Sequence, residues 1–219
     1  MTKEADPVTA RHFAYLAERT ADEGDFLRQL KQAARAAGIP EIWISPAQAS
    51  FMQILLQAAG ARRVLEVGTL AGYSAIAMAR ALPADGRVDT IELDPRHADF
   101  AEHWVARSDV AGRVVVHRGA GLSVLPRLPA GAYDAAFLDA DKSSYQGYLR
   151  EALRLVRPGG LVLVDNAFAF GQLFDEHPTD REVPAVRAFN EVMARTPEVR
   201  AVIVPLGDGL WVGVRQRAT

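Results

Sequence analysis

Apolar and polar positions along the chain change rhythm twice. Up to about residue 60, apolar residues recur at helical spacing. Phe13, Leu16 and Ala17 mark a first short helix. Phe26, Leu27, Leu30 and Ala33 mark a second, which stops at Gly38-Ile39-Pro40. A third runs from about Pro46 to Ala59, with Phe51, Leu55 and Ala58 on one face and Gly60 at its end. Beyond that point short β-rich runs alternate with helical stretches. The runs are RVLEV (63–67), RVDTIEL (87–93), RVVVH (113–117), DAAFLD (134–139) and GLVLVD (160–165). The helical stretches cover roughly 73–81, 95–107, 121–127 and 144–156. This alternation predicts βαβ units, hence a parallel sheet with helices on both faces. Several runs are apolar almost throughout, as strands covered on both faces must be.

The tail changes the rhythm again. A helix at about 182–195 precedes VRAVIVPL and GLWVGVRQ, which only Gly207-Asp208-Gly209 separates. So short a link cannot make a parallel crossover, so the two runs form an antiparallel hairpin. The expected fold is therefore α/β, a Rossmann-like seven-stranded sheet with five parallel strands and a C-terminal antiparallel hairpin. No linker divides residues 1–219, which read as one domain with residues 1–41 as an N-terminal helical extension. The stretch Ala167–Glu182 has little periodicity and follows a strand end, where α/β proteins carry their active-site loops.

Composition narrows the function classes. The 219 residues are 49% hydrophobic and 24% charged, the balance of an ordinary globular protein. Lys plus Arg is 25 against 27 Asp plus Glu, without the basic excess of a nucleic-acid binder. The absence of cysteine excludes disulfides, Cys-ligated zinc, iron–sulfur clusters and a thiol nucleophile. The N-terminus MTKEADPVTARHF has no apolar stretch of a signal peptide. No apolar run reaches the roughly 18 residues that span a bilayer. A cytoplasmic protein with neither nucleic acid nor membrane as partner is the expectation.

The chemistry gathers at strand ends. Val64-Leu-Glu-Val-Gly-Thr-Leu-Ala-Gly-Tyr-Ser74 places Gly68 and Gly72 between a strand and a helix. Gly68 lets the backbone turn tightly, and the helix N-terminus favours an anionic group. The spacing is G-x-x-x-G and not the G-x-G-x-x-G of dinucleotide binders, so a carboxylate suits the loop better than a pyrophosphate. Glu92, twenty residues after Gly72, ends the next strand, where an acidic side chain accepts the hydroxyls of a ribose. Glu66 lies inside a mid-sheet strand, where a carboxylate needs a partner. An ion pair with Arg62 or Arg63 is one reading; a ligand ammonium is the other. Asp139, Asp165 and Asn166 close two neighbouring strands and offer hard oxygen donors, a set suited to Mg²⁺ or Mn²⁺. Lys142 follows directly, and a lysine facing a divalent cation is favoured as the neutral amine that can take a proton. The five histidines show no ligand spacing, and neither a G-x-S-x-G elbow nor a P-loop is present.

With LEVGTLAGYS, IELDP, FLDADKSSY, LVRPGGLVLVDN and PLGDGLWVGVR in place, residues 42–215 resemble the cation-dependent class I O-methyltransferases. That family includes the catechol and caffeoyl-CoA O-methyltransferases and their bacterial relatives. The resemblance implies a homodimer that uses S-adenosylmethionine (SAM) as methyl donor, with Mg²⁺, Mn²⁺ or Ca²⁺, to methylate a small hydroxylated aromatic acceptor. Glu66 and Ser74 match the positions that hold the methionine part of SAM, Gly68 and Thr69 the loop beside it, and Ile44 a contact before the third helix. Glu92 matches the ribose-binding acid, Ala120 the backbone contact to adenine, and Asp141 a further cofactor contact. Asp139, Asp165 and Asn166 match the metal ligands, with Asp139 also against the cofactor, and Lys142 matches the catalytic base, with Asp139 as the second catalytic residue. Ala167-Phe-Ala-Phe170 replaces a stretch where plant and catechol members carry a tryptophan, and Gln48 and Ala49 replace a frequent acidic residue and glycine. Phe168, Phe170 and Trp43 are candidates for an aromatic acceptor wall and equally for the core. The other readings of these motifs are a methyltransferase for another nucleophile, such as a nitrogen or an RNA, and a non-catalytic SAM-binding protein. A NAD-linked oxidoreductase fails on the glycine spacing.

Overall fold

The computed structural model describes residues 9–20 and 22–217. Most of the polar N-terminal stretch, residues 1–8, lies outside them. Five parallel strands are β1 (Arg63–Val67), β2 (Arg87–Glu92), β3 (Val114–Arg118), β4 (Tyr133–Leu138) and β5 (Val156–Val164). The tail supplies β6 (Val199–Val204) and β7 (Leu210–Arg215). The sheet order is β3-β2-β1-β4-β5-β7-β6, and β7 runs antiparallel to both its neighbours. The hairpin thus folds back so that its second strand sits against the parallel set. Strand order reverses between β1 and β4, and the crevice at their carboxyl ends is where such sheets bind ligands.

Helices cover both faces. The strand period of two sorts the core into two layers. Val64, Val88, Phe137 and Leu163 face one side with α2 (Asp25–Ala36), α3 (Pro46–Ala58), α4 (Tyr73–Ala81) and α5 (Pro95–Ala106). Leu65, Val67, Leu138 and Val162 face the other with α7 (Tyr145–Leu155) and α8 (Val183–Arg195). By the same alternation Glu66 and Asp139 point to the α4 side. Helix α1 (Ala10–Ala17) buries none of its side chains, whereas α2 buries Leu27, Leu30 and Ala34 in the core. Among the described residues no helix is long and apolar enough to cross a membrane.

Three local expectations need correction. In α3 the buried face holds Gln48, Ala49, Met52 and Leu56, while Phe51 and Leu55 are half-buried and Ala58 is exposed. The helix is apolar on most sides, so its pattern does not single out one stripe. The stretch 121–127 splits into a four-residue helix α6 (Gly121–Val124) and a 3₁₀ turn (Leu125–Arg127), because Pro126 cannot donate the next helical hydrogen bond. Strand β5 begins at Val156 and not at Gly160: Val156 pairs with Tyr133, and the register then shifts before Leu161 meets Ala135.

Candidate active site

A cleft of about 930 Å³ opens over the carboxyl ends of β1, β2, β4 and β5. Ile44, Gly68, Thr69, Ser74, Glu92, Ala120, Asp139, Asp141, Lys142, Asp165 and Asn166 all line it. Glu66 does not reach the surface; it is fully buried just before Val67, the first lining residue of β1.

One arm is the loop between β1 and α4. Gly68 has φ +105° and its amide donates to the Ile91 carbonyl. A Cβ there would be driven into the Asp139 carbonyl group, so glycine is required by both conformation and space. Leu70 also has positive φ, at 48°, and its amide donates to Glu92 Oε2 at 2.7 Å. Asp94 donates its amide to Glu92 Oε1 at 2.9 Å. The Glu92 carboxylate is therefore fixed at the strand end, with lone pairs to spare for further donors. Ala120 caps α6 and is exposed to the cleft.

Glu66 makes neither of the expected ion pairs. Arg62 pairs with Asp85, and Arg63 approaches Asp89 at 3.4 Å. The neighbour of Glu66 is instead Thr90, whose hydroxyl donates to Oε2 at 2.6 Å, with the Thr69 hydroxyl 2.6 Å further on. Oε1 has no partner. Burial pushes the Glu66 carboxyl up to about 8.

The other arm is acidic. Lys142, nearly buried, donates from Nζ to Asp139 Oδ1 at 3.0 Å and to Tyr145 Oη at 2.7 Å. Tyr145 in turn stands 3.3 Å from the Asp165 carbonyl oxygen and packs edge-on against Phe189. Burial, then the charges of Asp139 and Asp165, raise its phenol well above the usual range. Asp165 is buried and its Oδ1 makes no short hydrogen bond among the described residues; burial, and then the Asp139 charge, push its carboxyl up to about 7. Gln48, also buried, turns its amide toward the Asp165 carboxylate and opposes that rise, although Nε2 makes no short hydrogen bond among the described residues. Asn166 adopts φ +66° and donates Nδ2 to Asp208 Oδ2 at 3.1 Å, which leaves its Oδ1 as an acceptor. Asp141 accepts from the Tyr148 hydroxyl. Of the aromatic candidates, Trp43 and Phe170 line the cleft, whereas Phe168 packs against Gly209 and is not among the lining residues.

Among the described residues no three His, Cys, Asp or Glu side chains form a metal-binding cluster. The candidate set is two carboxylates and an amide. Asp165 Oδ1, buried beside a second carboxylate and without a short hydrogen bond among the described residues, suits a divalent cation on chemical grounds.

Comparison with known proteins bears on this geometry. The protein-family model described as O-methyltransferase matches residues 17–216. The chain belongs to the O-methyltransferase family. The match begins well before residue 42 and takes in α2. This methyltransferase is 40% identical over 205 residues to a catechol O-methyltransferase of Niastella koreensis, covering 92% of this chain and 90% of that one. Among solved structures, the O-methyltransferase from Bacillus cereus in complex with SAH superposes with a TM-score of 0.84 at 34% identity, covering 93% of this chain and 96% of that one. TomG of Streptomyces achromogenes, an O-methyltransferase of tomaymycin synthesis in complex with SAM, gives a TM-score of 0.83 at 34% identity, covering 93% and 95%.

Sequence reasoning missed three groups that line this methyltransferase's cleft, Tyr148, Glu182 and Asp208, and Tyr145, which is buried behind Lys142. Glu182 Oε1 accepts from the Lys142 amide at 3.2 Å. Lys142 opens a 3₁₀ turn (Lys142–Ser144) that leads into α7, so Tyr145 stands one turn after Lys142 and Tyr148 a further turn on, both on the side that faces Lys142 and Asp141. Asp208 and Glu182 carry no comparable signal, since their partners lie about 40 residues away in the chain.

Proposed function

We propose that this O-methyltransferase transfers a methyl group from SAM to one hydroxyl of a small catechol-like or phenolic acceptor held by a divalent cation. The observation that carries the reading is the meeting of two arms in one cleft. One arm offers a fixed carboxylate at a strand end, Glu92, with the Glu66 carboxylate buried behind the cleft wall. The other offers three hard oxygen donors around one lysine. The solved relatives with SAM and SAH support the identity of the donor. The relative named catechol O-methyltransferase supports a catechol-like acceptor.

Glu66 faces the ammonium of SAM in this reading, with Ser74 and Thr69 alongside. Glu92 accepts the ribose hydroxyls. Ala120 flanks the adenine, and Ile44 and Asp141 complete the enclosure. Asp139, Asp165 and Asn166 hold the cation, which supplies Lewis acidity and a fixed orientation to neighbouring acceptor oxygens. Lys142 is the base. In its neutral form Nζ has two N–H groups, which Asp139 Oδ1 and Tyr145 Oη accept, and one lone pair left for the acceptor proton. Transfer breaks a carbon–sulfur bond and forms a carbon–oxygen bond, while the hydroxyl proton goes to Lys142 Nζ. Holding the acceptor oxygen in line with the methyl group contributes much of the rate. Trp43 and Phe170 flank the aromatic ring of the acceptor. The test is a methyl-transfer screen over catechols and simple phenols, with product regiochemistry. Methylation of vicinal diols in preference to single phenols is expected; equal rates for both would count against chelation.

A further inference from the structure

The Gly207-Asp208-Gly209 turn between β6 and β7 does more than reverse the chain. Asp208 reaches across to the segment that follows β5. Its Oδ2 accepts from Asn166 Nδ2 at 3.1 Å and from the Phe170 amide at 2.7 Å. Its Oδ1 accepts from the Gly171 amide at 3.1 Å. Its backbone carbonyl accepts from the Phe168 amide at 2.8 Å, and Gly209 does the same for Ala167. The segment so held is unusual, because Asn166, Ala169 and Phe170 all have φ between 54° and 66°. Such a conformation is disfavoured for residues other than glycine and persists only where the surroundings hold it.

We infer that Asp208 is the positioning residue that selects which end of the Asn166 amide faces the cation site. An asparagine side chain is ambiguous: one end accepts and the other donates, and the two are nearly the same shape. A cation tolerates only the oxygen. An ionised carboxylate only accepts, so Asp208 takes the Nδ2 end and leaves Oδ1 for the cleft. The same carboxylate fixes the Phe170 amide, and so couples one wall of the acceptor pocket to the cation site. The inference rests on the proposal that Asp139, Asp165 and Asn166 bind a divalent cation.

The test measures Mn²⁺ binding to the full chain by the loss of free-ion electron paramagnetic resonance signal, alongside SAM affinity and thermal melts. In Asp208→Asn the new amide has one oxygen where two were used, so Asn166 loses its defined orientation. Mn²⁺ affinity should fall about 10- to 100-fold, as for other partners that orient a metal ligand, with SAM affinity within about twofold. The exchange variant Asp208→Asn with Asn166→Asp restores a donor facing a carboxylate, and residue 166 then has only oxygens to offer. Its Mn²⁺ affinity should return to within a few fold of the wild type. A purely structural role for Asp208 predicts instead that the exchange variant binds as weakly as Asp208→Asn. That result, or unchanged binding in Asp208→Asn, overturns the inference while leaving the cation site standing. Failure of the wild-type protein to bind Mn²⁺ overturns both.

Discussion

Replacing Glu66 by glutamine isolates the energetic effect of a buried carboxylate while keeping its shape. The folded protein holds this carboxyl protonated up to about pH 8, against a usual 4.5, because it is buried completely. Below pH 4.5 the acid is neutral in both folded and unfolded chains and has no effect on their balance. Between those values the unfolded chain is ionised and the folded chain still holds the proton. Stability therefore falls as pH rises through that window, by about 1.4 kcal/mol per pH unit, and levels off above pH 8. At pH 7 the cost is on the order of 3 kcal/mol. Glutamine cannot ionise, so Glu66→Gln should be more stable than the wild type without ligand, by a margin that widens from pH 5 to pH 8. Urea unfolding of both proteins across that range measures the margin directly. The same substitution removes the charge proposed to face the SAM ammonium, so SAM affinity at pH 8 should fall about tenfold or more. Parallel stability curves for the two proteins would refute the reasoning about burial. Unchanged SAM affinity would refute the assignment of Glu66 to the donor.

Other substitutions probe the remaining parts of the cleft. Gly68→Ala places a methyl against the Asp139 carbonyl at a backbone conformation alanine disfavours, and should cost about 2 kcal/mol or more in a denaturant titration; a neutral effect would mean the loop moves freely. Lys142→Met should lower kcat by about 10²- to 10⁴-fold, the usual contribution of a general base, with SAM affinity retained by calorimetry. A parallel loss of SAM binding would show that Lys142 serves the donor and not the acceptor. Asp165→Ala should abolish transfer and leave SAM binding largely intact, as measured by equilibrium dialysis of labelled SAM.

Much of the sheet could be read from the chain because its strands are short, apolar and separated by helices. Neighbouring parallel strands end at the same edge, so Asp139 and Asp165 had to lie near each other once β4 and β5 were adjacent. The insertion of β7 between β5 and β6 was not legible, since hairpin spacing does not say which strand meets the sheet. That insertion brings Asp208 to Asn166 across 42 residues. The fate of Glu66 was legible only as a choice. Its strand position announced a buried carboxylate, but the strand period puts Arg63 on the opposite face, where it approaches the buried Asp89, and Arg62 lies before the strand and pairs with Asp85. Tyr145 was missed for a different reason. A tyrosine at helical spacing from Lys142 is ordinary core, and its packing against Phe189 is that of core. Its hydroxyl alone gives it a place beside the lysine.

The proposed reaction is methyl transfer from SAM to a cation-held catechol oxygen. It is tested most directly by following labelled methyl from SAM into a catechol while Mg²⁺ is titrated in and then withdrawn with excess chelator. A monomethyl ether should form only with the metal present, and activity should return when Mg²⁺ is restored. Full turnover in excess chelator would contradict it.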